Sequence, residues 1–272
     1  MNLIMTLFSY SFITRAIIVG VMVSLCSSVL GVSLVLKRYS MIGDGLSHVS
    51  FGALAIAAAL NMAPLLVSVP IVIVAAFFIL RLSENSSIGG DSAIAIFSSA
   101  ALATGIIVTS MTTGINADIC NYMFGSILAM STGDVYISII LSAVVFLVYI
   151  FFYNRIFAIT FDESFSRATG VRVDMYNIAL SILTAVTIVL GMRIMGALLI
   201  SSLIIFPALS AMRICRYFKS VIMLSSIISV VCFFAGMVFS YVLEIPVGAS
   251  VVMVNLVMFL ITSFLGKMRN GK

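Results

Sequence analysis

The sequence predicts an all-α fold: a polytopic transmembrane helical bundle of about eight or nine spans, in one domain over residues 1–272. Three observations carry this. Of the 272 residues, 63% are hydrophobic and 8% charged, where an ordinary soluble domain is about a quarter charged. The apolar residues lie in runs near the roughly 20 that a helix needs to cross a bilayer core of about 30 Å. The basic residues collect at the ends of those runs, mostly on one side. This composition excludes a soluble enzyme, a disordered tail and a disulfide-stapled secreted domain. The lipid bilayer is the solvent, so the net charge of +5 reads as a topology signal and no nucleic-acid partner is expected.

Polar interruptions divide the chain into nine candidate spans. The first, 16–36, ends at Lys37-Arg38; 42–60 and 64–80 follow, the latter closed by Arg81. Span 92–112 precedes a mixed segment, and 133–154 ends at Arg155. Spans 176–191 and 194–212 are short, and only Gly191-Met192-Arg193 separates them. Because basic loops flank the pair on both sides, an even number of crossings must join them, and a tight outer hairpin is expected there. Spans 220–243 and 247–266 complete the set, divided near Glu244, Pro246 and Gly248, where an ordinary turn is expected.

Placing the loop after the first span in the cytoplasm puts Lys37, Arg38, Arg81, Arg155, Arg167, Arg172, Arg213, Arg216, Lys219, Lys267, Arg269 and Lys272 inside, leaving only Arg15 and Arg193 outside. That asymmetry predicts a cytoplasmic C-terminus and an outer N-terminus, with 1–14 able to lie along the interface. The first run exceeds a signal-peptide core and lacks a small-residue cleavage site, so no processing is expected. Residues 113–131 are too polar to span and too apolar for a free loop. They are expected to form an outer re-entrant or interfacial segment, whose backbone must be buried in protein or line a wet cavity. Asp118, Asn116 and Asn121 in it could meet an extracytoplasmic partner or an entering ion, or could be solvated.

The four cysteines, Cys26, Cys120, Cys215 and Cys232, have wide spacings and no CxxC, and read as small apolar residues. The 17 Met are spread as core filling. Gly20, Ser24, Ser27 and Gly31 place small residues on one face of the first span, suited to close helix packing in lipid or merely scattered. Asn255, mid-span, is expected to make an interhelical hydrogen bond. Ser201, Ser202 and Pro207 fit packing around a proline kink.

The sharpest feature is Ser40-Met41-Ile42-Gly43-Asp44-Gly45-Leu46-Ser47-His48. On a helix Asp44 and the only histidine are i,i+4 neighbours, and their face continues through Gly52, Ala55 and Ala59, leaving open space beside it. Ionisable groups at membrane depth usually mark a pathway or site. A carboxylate with an imidazole suits zinc, manganese or ferrous iron. The same pair could tie two helices together or relay protons. Two ligands are too few for a closed structural site but suit an ion that must leave, and two copies in a homodimer would supply four. Ser47 lies on the same stretch as a pathway candidate.

Between the fifth and sixth spans, Phe161-Asp162-Glu163-Ser164-Phe165-Ser166-Arg167-Ala168-Thr169-Gly170-Val171, within a loop of about 156–175, opens with acids and closes with glycine. That pattern fits a short, dipole-complemented helix, and the loop is either a handle for an intracellular partner or a solvated connector. No phosphate loop or His-Glu-x-x-His motif occurs, so any ATP hydrolysis by the phosphate-loop route would come from a partner.

On these residues the chain resembles the membrane permease subunits of bacterial zinc/manganese/iron ABC importers. The matching patches are Val35–His48, the FDESFSRATGV loop, Gly191–Arg213 and Tyr122–Leu128, in the family's order and over nearly the whole chain. The resemblance implies a multi-pass inner-membrane permease that is not itself an enzyme. It would work as a homodimer with two cytoplasmic ATP-binding subunits and an extracytoplasmic metal-binding protein. It implies that Asp44 and His48 handle the metal, a transported ion rather than a resident cofactor. It further implies that Asp162, Glu163, Arg167, Ala168 and Gly170 belong to a coupling helix docked on the ATPase. Gly196–Ile200 and Ile205–Ala208 look nearer the zinc-type branch, so zinc is favoured over manganese or iron. Ser164 and Ser166 depart from the small alanines common in that loop. One rival reading is a gradient-driven secondary transporter with an Asp/His relay, which should show inverted-repeat hydropathy; another is a membrane-embedded enzyme or assembly factor with one His–Asp site, which would need more convergent polar groups than this chain offers.

Overall fold

The computed structural model describes residues 11–85, 90–112 and 132–270. The segment 113–131, with Asp118, Asn121 and Cys120, lies outside the described residues. Eleven helices form among them, with no strand: α1 Ser11–Leu36, α2 Ile42–Ala59, α3 Pro64–Asn85, α4 Gly90–Met111, α5 Thr132–Phe151, α6 Tyr153–Phe161, α7 Glu163–Ala168, α8 Val173–Met195, α9 Ala197–Ile214, α10 Phe218–Leu243 and α11 Val247–Asn270. Seven of them (α1–α4, α8, α10 and α11) are each long and apolar enough to cross a bilayer. The pair α5–α6, bent by 68°, passes together as an eighth, and α9 is apolar but shorter.

Two boundaries differ from the sequence expectation. The break between the sixth and seventh spans falls at Gly196, not at 191–193. Gly196 has φ 83 and ψ 164, a conformation essentially reserved for glycine, and its N–H closes α8 on the Met192 carbonyl at 2.8 Å. Beyond it the chain folds back. A Cβ built on Gly191 would lie 2.3 Å from the Ile200 Cδ1, whereas nine residues of continuous helix would separate the two by about 13.5 Å. The fifth span also does not run straight to 154. It breaks at Phe152, which no Pro or Gly accompanies, where Phe152 meets Tyr176 edge-on (5.6 Å between ring centroids) and Tyr153 meets Phe218.

Helix α1 is the core of the bundle, because its small face lets neighbours in. A Cβ on Gly20 would strike the Phe233 ring of α10, and one on Gly31 would lie 2.1 Å from the Ile204 carbonyl oxygen of α9. Between them, Ser229 donates to the Ser24 carbonyl at 3.0 Å and Ser225 to the Ser28 carbonyl at 3.4 Å. Helices without a hydrophobic drive to associate are held this way, by close approach and polar contacts. On another side of α1, Ser33 and the Tyr149 hydroxyl of α5 are 2.7 Å apart, and Cys26 donates to the Ser142 carbonyl. Cys26 and Cys232 are buried free thiols and Cys215 is a half-buried one.

Asn255 departs from expectation. Its Nδ2 donates to Val251, one turn back on its own helix, instead of across an interface. Its buried Oδ1 has no partner among the described residues.

The basic ends gather together. Lys37, after α1, pairs with Glu163 of α7, and Arg81, ending the apolar part of α3, shares a cleft with Glu163 and Arg167. Phe218, opening α10, packs on Tyr153, Phe157 and Phe161. Gly266 near the end of α11 abuts the Arg213 carbonyl.

Candidate functional site

Helix α2 begins after a tightly determined turn. At the end of α1 the Tyr39 N–H reaches the Leu34 carbonyl (2.8 Å) and the Arg38 N–H the Val35 carbonyl (3.1 Å), a Schellman pair with Arg38 at the left-handed position, φ 63. Ile42 N–H then bonds Tyr39 and Gly45 N–H bonds Met41, so only five residues separate the two helices. Asp44 therefore sits in the first turn of α2, where the positive end of the helix dipole favours a carboxylate.

His48 follows one turn later, with its Nε2 3.7 Å from the Asp44 Oδ2. That is too long for a hydrogen bond. It is close to the separation of about 3.4 Å that two donors at zinc-like bond lengths take up around a tetrahedral ion. The Asp44 side chain is 47% exposed and that of His48 28%, so both remain accessible to an incoming group. Since both residues belong to α2, their mutual contact does not join two helices. No third His, Cys, Asp or Glu completes a cluster among the described residues. The described residues therefore bring two such donors together here, Asp44 and His48.

The face beyond His48 is not open. Helix α4 fills it, with the Ala101 carbonyl oxygen 2.6 Å from where a Gly52 Cβ would be, and Ala55 is buried. Reciprocally, Gly105 of α4 receives Phe51, and Gly45 receives Ile94. Gly52, expected to leave space beside a pathway, is instead a seat for the neighbouring helix. Ser47 is buried, and its hydroxyl donates to the Asp44 carbonyl at 2.7 Å.

The second constellation is built on α7. Asp162 is its N-cap, with Oδ1 accepting the Phe165 N–H at 2.8 Å. Gly170 (φ 83) ends it, with Val171 N–H on the Ser166 carbonyl and Gly170 N–H on Arg167, the glycine C-cap pattern. Arg167 bridges Glu163 (3.5 Å) and Asp174 of α8 (2.9 Å). Ser164, Ala168 and Gly170 face outward, and Phe165 is 64% exposed. Residues Asp162, Glu163, Arg167, Ala168 and Gly170 thus form one surface feature. Sequence reasoning missed Lys37, Asp174 and Asn177, which lock it down. The available signal was Lys37 at the end of a long apolar helix, since a cation placed there needs partners.

Comparison with known proteins decides the lineage. The profile of the ABC 3 transport family matches residues 9–266. The chain belongs to that family. It is a metal-ion ABC permease, the membrane transport subunit and not an enzyme. It is 29% identical over 250 residues to the high-affinity zinc uptake system membrane protein ZnuB of Haemophilus influenzae (92% of this chain, 95% of that protein). It is 30% identical over 255 residues to the manganese transport system membrane protein MntC of Listeria monocytogenes (94% and 91%). Among solved structures it matches PsaBC from Streptococcus pneumoniae in complex with Fab, with a TM-score of 0.86 and 29% identity over 95% of this chain and 93% of that one.

Proposed function

We propose that this permease carries a divalent transition-metal ion across the bacterial inner membrane, zinc first, with Asp44 and His48 as the residues that handle it. The carrying observation is the 3.7 Å carboxylate–imidazole pair, half-exposed at the start of α2, in a chain whose relatives include one named for zinc uptake and one for manganese transport. Imidazole nitrogen favours zinc over manganese at a given site. The manganese reading rests on relatives named for that metal.

The working unit is a homodimer with two ATP-binding subunits inside and a metal-binding protein outside, and with the C-terminus in the cytoplasm. Two observations support the dimer. Among the described residues each chain brings two donors together. Helix α4, already seated on α2, turns exposed small residues outward at four-residue spacing, Ala95, Ser99 and Ala103, a pattern that allows close helix approach in lipid. The α7 surface, with Asp162, Glu163, Arg167, Ala168 and Gly170, is the docking element for the ATP-binding subunit. Asp118 and Asn121 are proposed to meet the cargo or its carrier outside.

The test is uptake of radioactive zinc and manganese by cells carrying Asp44→Ala or His48→Ala, with membrane abundance measured in parallel. Both variants should lose uptake at unchanged abundance; normal uptake in both would overturn the assignment. Metal-stimulated ATP hydrolysis by the assembled complex ranks the metals, and stronger stimulation by manganese would overturn the zinc preference.

A further inference from the structure

We infer that Lys37 is a positioning residue that makes α7 and the start of α2 move as one body, so that displacement of α7 reaches Asp44 directly. The inference rests on the transport reading above for its functional meaning, and on geometry for the coupling itself.

Lys37 directly follows the last residue of α1. Its side chain is only 8% exposed, and its ammonium lies 3.5 Å from the Glu163 Oε2 of α7. It also donates to the Asn177 Oδ1 of α8. A cation this buried stays charged only because partners replace its water, so the contact resists separation far more than an exposed ion pair does. Glu163 is in turn held by Arg167, and Arg167 by Asp174. The short helix is therefore gripped on two sides: α8 holds it through Arg167, and Lys37 holds it at its first residue.

From Lys37 to Asp44 there is little slack. The intervening turn is closed by the Arg38, Tyr39, Ile42 and Gly45 backbone bonds, and Arg38 keeps a left-handed conformation despite its side chain. A six-residue helix on the surface and the carboxylate at the head of α2 are thus connected by one ion pair and one rigid turn.

The test uses the full importer in membranes with its partner subunits. Lys37→Met, Glu163→Gln, their double variant and Lys37→Arg are compared for metal uptake, for ATP hydrolysis and for hydrogen exchange at the amides of 37–45. Lys37→Met should lower metal transported per ATP about 10-fold while hydrolysis persists, and Glu163→Gln should lower that ratio to the same extent. The double variant should be no worse than either single, and Lys37→Arg should stay within about 2-fold of wild type. Exchange at Arg38 and Tyr39 should quicken in both neutral variants. Unchanged exchange there overturns the mechanical link whatever the transport result. Faster exchange with an unaltered transport-to-ATP ratio overturns its role in coupling. A wild type that moves no metal would instead overturn the transport reading, with the exchange arm still deciding the link.

Discussion

Replacing Gly52 by alanine should loosen the helix pair that carries Asp44 and His48. A Cβ at this position would sit 2.6 Å from the Ala101 carbonyl oxygen and 3.3 Å from its carbon. The obstacle is backbone, so no rotamer relieves it. Restoring ordinary contact requires α4 to retreat by about 0.8 Å, and overpacking of this size typically costs about 1–3 kcal/mol, against a gain of up to about 1 kcal/mol from replacing a helical glycine. The internal control is Gly43→Ala. There the nearest atom is the flexible Ile204 Cδ1 at 3.1 Å, which can give way and leave mainly the propensity gain. In thermal unfolding of the purified permease, Gly52→Ala should melt below wild type, by up to roughly 8 °C, and Gly43→Ala at or slightly above it, using about 2–4 °C per kcal/mol for a chain of this size. A Gly52→Ala protein as stable as Gly43→Ala would refute the close α2–α4 seat.

Three further outcomes follow from local geometry. Asp162→Ala should destabilise α7 by about 1 kcal/mol through loss of its N-cap, while Asp162→Asn keeps most of it; amide exchange at Phe165 reads this directly. Arg38→Gly should raise thermal stability by about 1 kcal/mol by relieving a left-handed non-glycine residue, and no change in melting would argue against that strain. Ser33→Ala or Tyr149→Phe alone strands a buried hydroxyl at a cost of about 1–3 kcal/mol, whereas the double variant should cost less than the two singles combined; strict additivity in the double-mutant cycle would deny the hydrogen bond.

Much of this was legible from residue order. Helix type and approximate extent follow from apolar runs, and the Asp44/His48 pairing from i,i+4 spacing. The short helix was legible in its acidic start and terminal Gly170. What was not legible depends on distant partners. Gly191 and Gly196 look alike in sequence, and only Ile200 packing against the first and the backbone conformation of the second decide which one turns the chain. Gly52 reads equally well as empty space and as a seat for α4. Asn255 carries no sign of whether its donor will find another helix or its own. The break at Phe152 has no helix-breaking residue and arises where aromatic partners from α8 and α10 meet it.

A proposed site whose donors are divided between two chains would have a genetic character. Were each subunit of the proposed dimer to bring its Asp44 carboxylate and His48 imidazole to one site, a defect in one copy of the gene would not be confined to that copy's product. With equal expression of wild-type and Asp44→Ala chains pairing at random, only about a quarter of the proposed symmetric dimers keep both carboxylates. The mutant allele should then be partly dominant, and uptake should fall well below the half expected were each chain to carry cargo alone.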